Sequence, residues 1–304
     1  MITKEKLQEF VTANPKLVQR KESTRYPGLF VVKYKRNVFW DNLWNDVLVE
    51  CRGLVVDADW NIVVQPFTKI FNRHENGTDI DRDAEVVAIR KVNGFMAAAT
   101  YVEGHGVVVS TTGSLDSDFV TLAEKYITPE NKGVIDRYGR GITFIFEIVD
   151  ASDPHIVRED EGAYLIGGRI VPATTDYMSS IKNEEWLDEA ATSMFNIKRP
   201  EWTSARFSDV VDAARTCQHE GFVVYSKDKA LKIKSPYYLT SKFFARKSEE
   251  KLLKGLEDQQ WFRTVVEEEM YPVIDYLATI KEEFVSQDEQ QRLATVQAFI
   301  EGQY

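Results

Sequence analysis

Cysteine is nearly absent from this chain: Cys51 and Cys217 are the only two in 304 residues. So few thiols argue against a disulfide framework and against a cysteine zinc site, and they point to a reducing, cytoplasmic setting. Histidine is also scarce, at four residues. His74, His105 and His219 lack the spacing of metal ligands and read as structural or solvent-facing. No apolar run approaches the roughly 18–20 residues that a membrane helix needs, so no membrane is expected among the partners. The opening stretch MITKEKLQEFVTANPK is polar and amphipathic, unlike a secretory signal. A G-x-x-x-x-G-K-[ST] phosphate loop is missing too.

What is present reads as a soluble globular protein, with 43% hydrophobic and 28% charged residues. Seventeen Phe, 13 Tyr and six Trp supply ample core material. The length suits one large domain or two ordinary ones. A net charge of −10 argues against wholesale coating of nucleic acid, but the average hides an asymmetry. From Lys227 to Lys247, six lysines and one arginine face one aspartate, a net of +6. From Glu249 to Tyr304, 13 acidic residues face five basic ones, a net of −8, so an acidic tail masks the basic segment before it.

Along the chain, residues 3–19 are expected to be helical, with Leu7, Phe10 and Val11 on one face. Period-2 runs of β-branched and aromatic residues then predict strands in LFVVKYK, VLVECRGLVVD and NIVVQPFTKIF. Further strands are predicted in EVVAIRKV, FMAAATYV, GVVVSTT, GITFIFEIV, AYLIGGRIV, EGFVVYS and ALKIKSP. A helix is expected after Ser117, and others over 181–196 and 208–216, the last capped by Ser208. Beyond about residue 239 the period becomes 3.6, with Trp261, Val265, Val273, Ile274, Leu277, Val296 and Ile300 marking helical faces.

Several charged residues stand where a charge needs a reason. Lys91 closes a β-type run and is followed by Val92-Asn93-Gly94; it is either a solvated lysine at a strand end or a nucleophile. Arg52 interrupts the apolar runs 47–49 and 54–56. Glu147 lies inside FIFEIV, on a solvent face or aimed into a pocket. Glu220 precedes GFVVY, a commonplace strand start. LKIKSP puts Lys232 and Lys234 on one strand face and Leu231 and Ile233 on the other. Such a pair is either an edge strand protected by lysines or a clamp for phosphate. Ser110-Thr111-Thr112-Gly113-Ser114 is either a set of ligand donors or a serine-rich hairpin turn.

In their order, ECRGLVV, QPFTKIFN, the Lys91 segment, STTGS, FIFEIV, EGFVVY and LKIKSP resemble the motif series of covalent nucleotidyltransferases, the ATP-dependent ligases and capping enzymes. They look most like RNA ligases of the RNA ligase 1 type found in T4-like phages. The likeness spans roughly residues 50–240, and the Arg-Gly and Lys-x-Phe-Asn blocks tilt it toward RNA ligase over DNA ligase or capping enzyme.

The resemblance implies an ATP-dependent RNA ligase that joins RNA 3′-hydroxyl and 5′-phosphate ends through a lysyl-AMP, in RNA repair. Lys91 would be the nucleophile, and to attack as the neutral amine its pKa would have to fall from about 10.4. Gly94 would leave room for the nucleotide beside the backbone. Lys232 and Lys234 would clamp the triphosphate and offset charge growing in the transition state. Arg52 and Lys69 would face the β- and γ-phosphates. Glu147 would lie near the ribose and the water shell of the metal, Val223 against the adenine, and Glu220 at the metal, Mg²⁺ or Mn²⁺.

Two positions depart from the pattern. Asn93 stands where many phage ligases carry Asp, and the Lys-x-Asn-Gly form looks more like fungal and plant tRNA ligases; as a cofactor-binding residue it would hydrogen-bond a ribose or a metal-bound water while contributing no charge. In ASDPHIV, His155 stands where the family has arginine, with one residue extra.

The expected fold is α+β: an antiparallel-rich nucleotidyltransferase (ATP-grasp-like ligase) domain over 1–238, then a small all-α domain over 239–304. A helical ending, in place of the OB barrel of DNA ligases and capping enzymes, suits the phage type. A tRNA-like RNA is one candidate for what it recognises. The chain is expected to act as a monomer on ends prepared elsewhere, in the cytoplasm of a phage host if phage-encoded. The alternative from another class is a non-catalytic RNA-binding module that keeps the fold, using the basic segment 227–247 with its interleaved aromatics. A Schiff-base lysine enzyme finds no supporting feature.

Overall fold

Alternating apolar residues dictate most of the architecture. The computed structural model describes residues 2–245, 249–266 and 268–303. Among them the strands, in chain order, are β1 (Val18–Glu22), β2 (Phe30–Tyr34), β3 (Arg52–Val56), β4 (Ile62–Val64), β5 (Phe71–Asn72), β6 (Glu85–Arg90) and β7 (Phe95–Val102). They continue with β8 (Gly106–Thr111), β9 (Ile142–Val149), β10 (Gly162–Ile170), β11 (Trp202–Arg206), β12 (Gly221–Tyr225) and β13 (Ala230–Lys234). Three sheets result, with strand orders β1-β2-β3-β4, β10-β9-β7-β8 and β11-β6-β12-β13-β5. Their pairings are antiparallel except for β13 with β5. This is the antiparallel-rich α+β arrangement expected.

The chain forms two compact units. The first comprises Met1–Ile70, Gly94–Pro154 and Glu159–Glu201; the second comprises Phe71–Asn93, His155–Arg158 and Trp202–Tyr304. Residue 238 lies inside the helix Pro236–Phe244.

In the first unit, β9 is buried on both faces. Phe144, Phe146 and Ile148 pack with Val120, Ile135, Leu187 and Phe195 from the helical segments, so alternation turns Thr143, Ile145 and Glu147 to the opposite face. Leu7 and Val11 of the helix Lys4–Ala13 pack with Val32, Leu54 and Val56. Val55 and Val64 meet Ala98 and Val108, which joins the two sheets of this unit.

In the second unit, Val86, Ala88, Val224, Leu231 and Ile233 pack with Phe207, Val210, Val211 and Ala214 of the helix Phe207–Thr216. One sheet face is thereby covered, and Val223, Lys232 and Lys234 belong to the other by alternation. From Pro236 onward the described residues hold helices and no strand. Phe243, Phe262, Ile274, Leu277, Phe284 and Val296 form a core of their own among these helices.

Local chemistry explains the differences from the expected elements. The first helix stops at Ala13 because Asn14 precedes Pro15, and a residue before proline is steered out of the helical region. Residues from Val18 onward are therefore free to form β1. VLVECRG begins as a turn, since the Asn45 side chain accepts from the N–H groups of Val47 and Leu48, and the strand starts only at Arg52. The helix over 181–196 is broken into Glu184–Glu189, capped by Asn183, and a π-turn over Ala190–Phe195. Elements that were not expected include β11, the short helices Arg36–Trp40 and Tyr177–Ser180, and the helix Pro129–Tyr138, although Thr128-Pro129 with Asn131 carries a capping box. Arg246 and Lys247 of the basic segment lie outside the described residues.

Candidate active site

Lys91 follows the last residue of β6, where its N–H donates to the Gly221 carbonyl at 2.9 Å. Gly221 pairs with Lys234 across β12 and β13, so Lys91, Gly221 and Lys234 share one cross-strand row. Gly221 has φ +127°, and a Cβ there would stand 2.0 Å from the Ile233 carbonyl oxygen. Only glycine meets both demands.

The row is tied together by Glu220. Lys91 Nζ donates to Glu220 Oε2 at 3.0 Å, Asn93 Nδ2 donates to the same oxygen at 2.8 Å, and Lys234 Nζ lies 3.8 Å from Oε1. The Glu220 side chain is only 3% exposed. Burial alone would raise its pKa, yet Lys91 and Lys234, with Lys242 further off, hold it below the ordinary carboxylate range.

Asn93 uses both ends of its amide, donating to Glu220 and accepting from the Val157 N–H at 3.1 Å. An aspartate could accept from Val157 but could not donate to Glu220. Next in the sheet, Val223 pairs with Lys232 on one side and Ile89 on the other, and Lys232 pairs with Asn72. Lys234 also donates to Glu269, which accepts from Lys242 as well. Neither Lys242 nor Glu269 was singled out from the sequence. Glu269 belongs to the acidic tail, whose composition reads as a solvated face.

The first unit holds the remaining candidates. Gly94 N–H donates to Glu147 Oε1 at 3.1 Å, which fixes a carboxylate that is otherwise buried on a central strand. The space beside Gly94 is filled by the chain itself, since a Cβ would lie 2.2 Å from the Ile148 carbonyl oxygen. Close approach to β9 therefore accounts for this glycine. Gly53 has the same logic: φ is +85° and a Cβ would stand 2.8 Å from the Thr111 carbonyl oxygen. The Arg-Gly block thus seats the 110–114 segment, which is a turn closed by Thr111 N–H to the Ser114 carbonyl at 2.9 Å. Ser110 is fully buried.

Arg52 reaches the Met96 sulfur at 3.6 Å, and the Lys69 ammonium sits 4.7 Å from the Trp44 ring centroid. Behind them, buried Glu50 takes both Nη atoms of Arg169, at 2.8 and 3.0 Å, and the Thr68 hydroxyl at 2.7 Å. Neither Glu50 nor Arg169 was anticipated, because each stands beside apolar neighbours with no local cue to its partner.

Among the described residues no group of three or more His, Cys, Asp or Glu could hold a metal ion by itself. Of the carboxylates singled out from the sequence, Glu147 is buried in the first unit and Glu220 in the second. A single hard oxygen donor fits Mg²⁺ or Mn²⁺, which commonly takes one or two carboxylates and fills its other positions with water and substrate phosphates. Among the described residues no helix is long and apolar enough to cross a membrane.

Solved structures share this fold at low identity. An archaeal ATP-dependent RNA ligase (form 2) matches with a TM-score of 0.61 and 12% identity, covering 98% of this chain and 79% of that one. Form 1 gives 0.58 and 14%, covering 98% and 79%. A putative ATP-dependent DNA ligase from Aquifex aeolicus gives 0.56 and 15%, covering 99% and 78%. Both kinds of ligase are represented, so the fold alone does not choose between RNA and DNA. No curated protein matches the chain in sequence. A family model, RNA ligase (RNA_lig_T4_1), matches residues 50–253, which spans the Arg-Gly block, the Lys91 segment, Glu147, Glu220 and the Lys-x-Lys strand. The chain belongs to the RNA ligase family.

Proposed function

We propose that the chain is an ATP-dependent RNA ligase whose nucleophile is Lys91. One observation carries the reading: Lys91 and Lys234 converge on the single buried carboxylate of Glu220. ATP dependence is supported by the names of the archaeal RNA ligases that share the fold.

In this reading Lys91 Nζ, after losing a proton, attacks the α-phosphorus of ATP. An N–P bond forms, the bond to the bridging oxygen breaks, and pyrophosphate leaves. An oxygen of an RNA 5′-phosphate then takes the AMP from Lys91, which restores the amine. A 3′-hydroxyl attacks the activated 5′-phosphorus, a phosphodiester forms and AMP departs. Lys232 and Lys234 offset charge on the phosphates, as do Arg52 and Lys69. Val223 lies against the adenine and Glu147 serves the ribose. Asn93 holds Glu220 in place. A divalent cation, Mg²⁺ or Mn²⁺, bound at Glu147 or Glu220 would supply further charge neutralisation.

Residues 1–238 act as the adenylyltransferase part and 239–304 as a helical module for the RNA, with a tRNA among its candidate substrates. The protein works as a monomer in RNA repair in the cytoplasm, in a phage-infected host if phage-encoded.

The test is one tube. Purified protein, first stripped of AMP, is incubated with α-labelled ATP and magnesium and then denatured. Label on wild type and none on Lys91→Ala is the expected result. No label on the wild type would overturn the reading, and RNA binding retained in such a protein would favour a non-catalytic RNA-binding module.

A further inference from the structure

Glu269 stands in a short turn of 3₁₀ helix, Glu268–Met270, far along the chain from the Lys-x-Lys strand. Its carboxylate nevertheless meets that strand. A single oxygen, Oε1, accepts from Lys234 and, at 3.0 Å, from Lys242 of the helix Pro236–Phe244. The three side chains are withdrawn from water, at 7% exposure for Glu269, 9% for Lys234 and 17% for Lys242. Burial alone would raise the Glu269 pKa, but Lys234, Lys242 and Lys232 together hold it well below the carboxylate range. Lys234 is shared with Glu220, so one chain of contacts runs Lys91–Glu220–Lys234–Glu269–Lys242.

Lys234, Lys242 and Lys232 all act on the one Glu269 carboxylate. Two ammoniums converging on one oxygen is also the geometry that a phosphate oxygen would take.

We propose that Lys234 and Lys242 form a polyphosphate subsite whose place Glu269 holds when no nucleotide is bound. On the ATP-ligase reading, on which this rests, Lys242 is a further ligand of the triphosphate. Glu269 is displaced as the phosphates arrive. The displacement couples nucleotide occupancy to the turn 268–270, which leads directly into the helix Tyr271–Thr279. Competition between Glu269 and phosphate also keeps affinity for released pyrophosphate low, which favours its departure.

The probe is inorganic triphosphate, titrated by calorimetry into the full chain without ATP or RNA, so the result does not depend on ligase activity. Glu269→Gln keeps the shape and removes the competing charge; triphosphate affinity should rise by at least about fivefold, the low end of ordinary coupling between sites. Lys242→Gln should weaken binding, and in the double variant the gain from Glu269→Gln should shrink. Should Glu269→Gln fold poorly, its melting temperature should be restored by triphosphate more than that of the wild type is raised. Unchanged or weaker binding in a folded Glu269→Gln, or no binding in any variant, overturns the proposal. ATP labelling of Lys91 with no response to Glu269→Gln would sink this inference alone, whereas absent labelling with an intact triphosphate response would sink only the ligase reading.

Discussion

Single residues with two partners hold the candidate site in shape. Asn93 spans Glu220 and the Val157 backbone; Gly94 leaves the Ile148 carbonyl its place while its own N–H binds Glu147. Glu50 is the counterpart behind β3. It takes both Nη atoms of Arg169, which also donates to the Pro66 carbonyl at 2.7 Å, while Lys69 N–H donates to the Val49 carbonyl at 2.8 Å. Removing the charge from one partner of a buried pair strands the other and typically costs about 3–5 kcal/mol. Glu50→Gln is expected to lower the urea midpoint by a corresponding amount. A loss under about 1 kcal/mol would mean that water reaches Arg169 in the folded chain. Lys91, Arg52 and Glu147 were legible as candidates because each charge interrupts an apolar pattern. Glu50 and Arg169 were not, since a buried pair contributed by distant segments leaves no local signal.

At the level of elements, the β12–β13 hairpin decides which lysines can act together. Alternation alone put Lys232 and Lys234 opposite Leu231 and Ile233, and the latter two are indeed in the core. Register adds what alternation cannot: Gly221, opposite Lys234 and hydrogen-bonded to Lys91, makes one row of the two lysines. Gly221→Ala combines an unfavourable φ with a collision against backbone, and should destabilise the chain by about 1–3 kcal/mol. It should also reduce AMP labelling of Lys91 in protein that remains folded. Full labelling with an unchanged melting temperature would mean that the hairpin can shift its register. The elements misjudged from sequence were those where a capping side chain or a proline outranked hydrophobic period, at Pro15, Asn45 and Asn183.

For the molecule as a whole, charge is the property most sensitive to conditions. Glu220 and Glu269 have folded pKa values below their unfolded ones. Their stabilising contribution is therefore complete above the unfolded carboxylate range, about pH 4.3, and is lost as pH falls from there toward the folded values. Glu184 works in the opposite direction: burial raises its pKa, outweighing Arg199, so its protonation on acidification favours the folded chain and offsets part of that loss. Urea midpoints measured between pH 6 and 3 should fall on acidification, and less steeply in Glu269→Gln. Parallel profiles for the two proteins would remove Glu269 from the account.

Sequence by itself determined most of the strands, the helical ending and the family, and it nominated most of the candidate side chains. Those follow from period, spacing and residue chemistry, all of which are local. Only the tertiary structure decided that Glu220 is shared by Lys91 and Lys234, that Gly53 and Gly94 answer to neighbouring backbone, and that an acidic tail residue reaches the Lys-x-Lys strand. Such pairings join residues far apart in sequence, and the energy that selects them, ion pairing under burial, depends on distances that no linear pattern encodes.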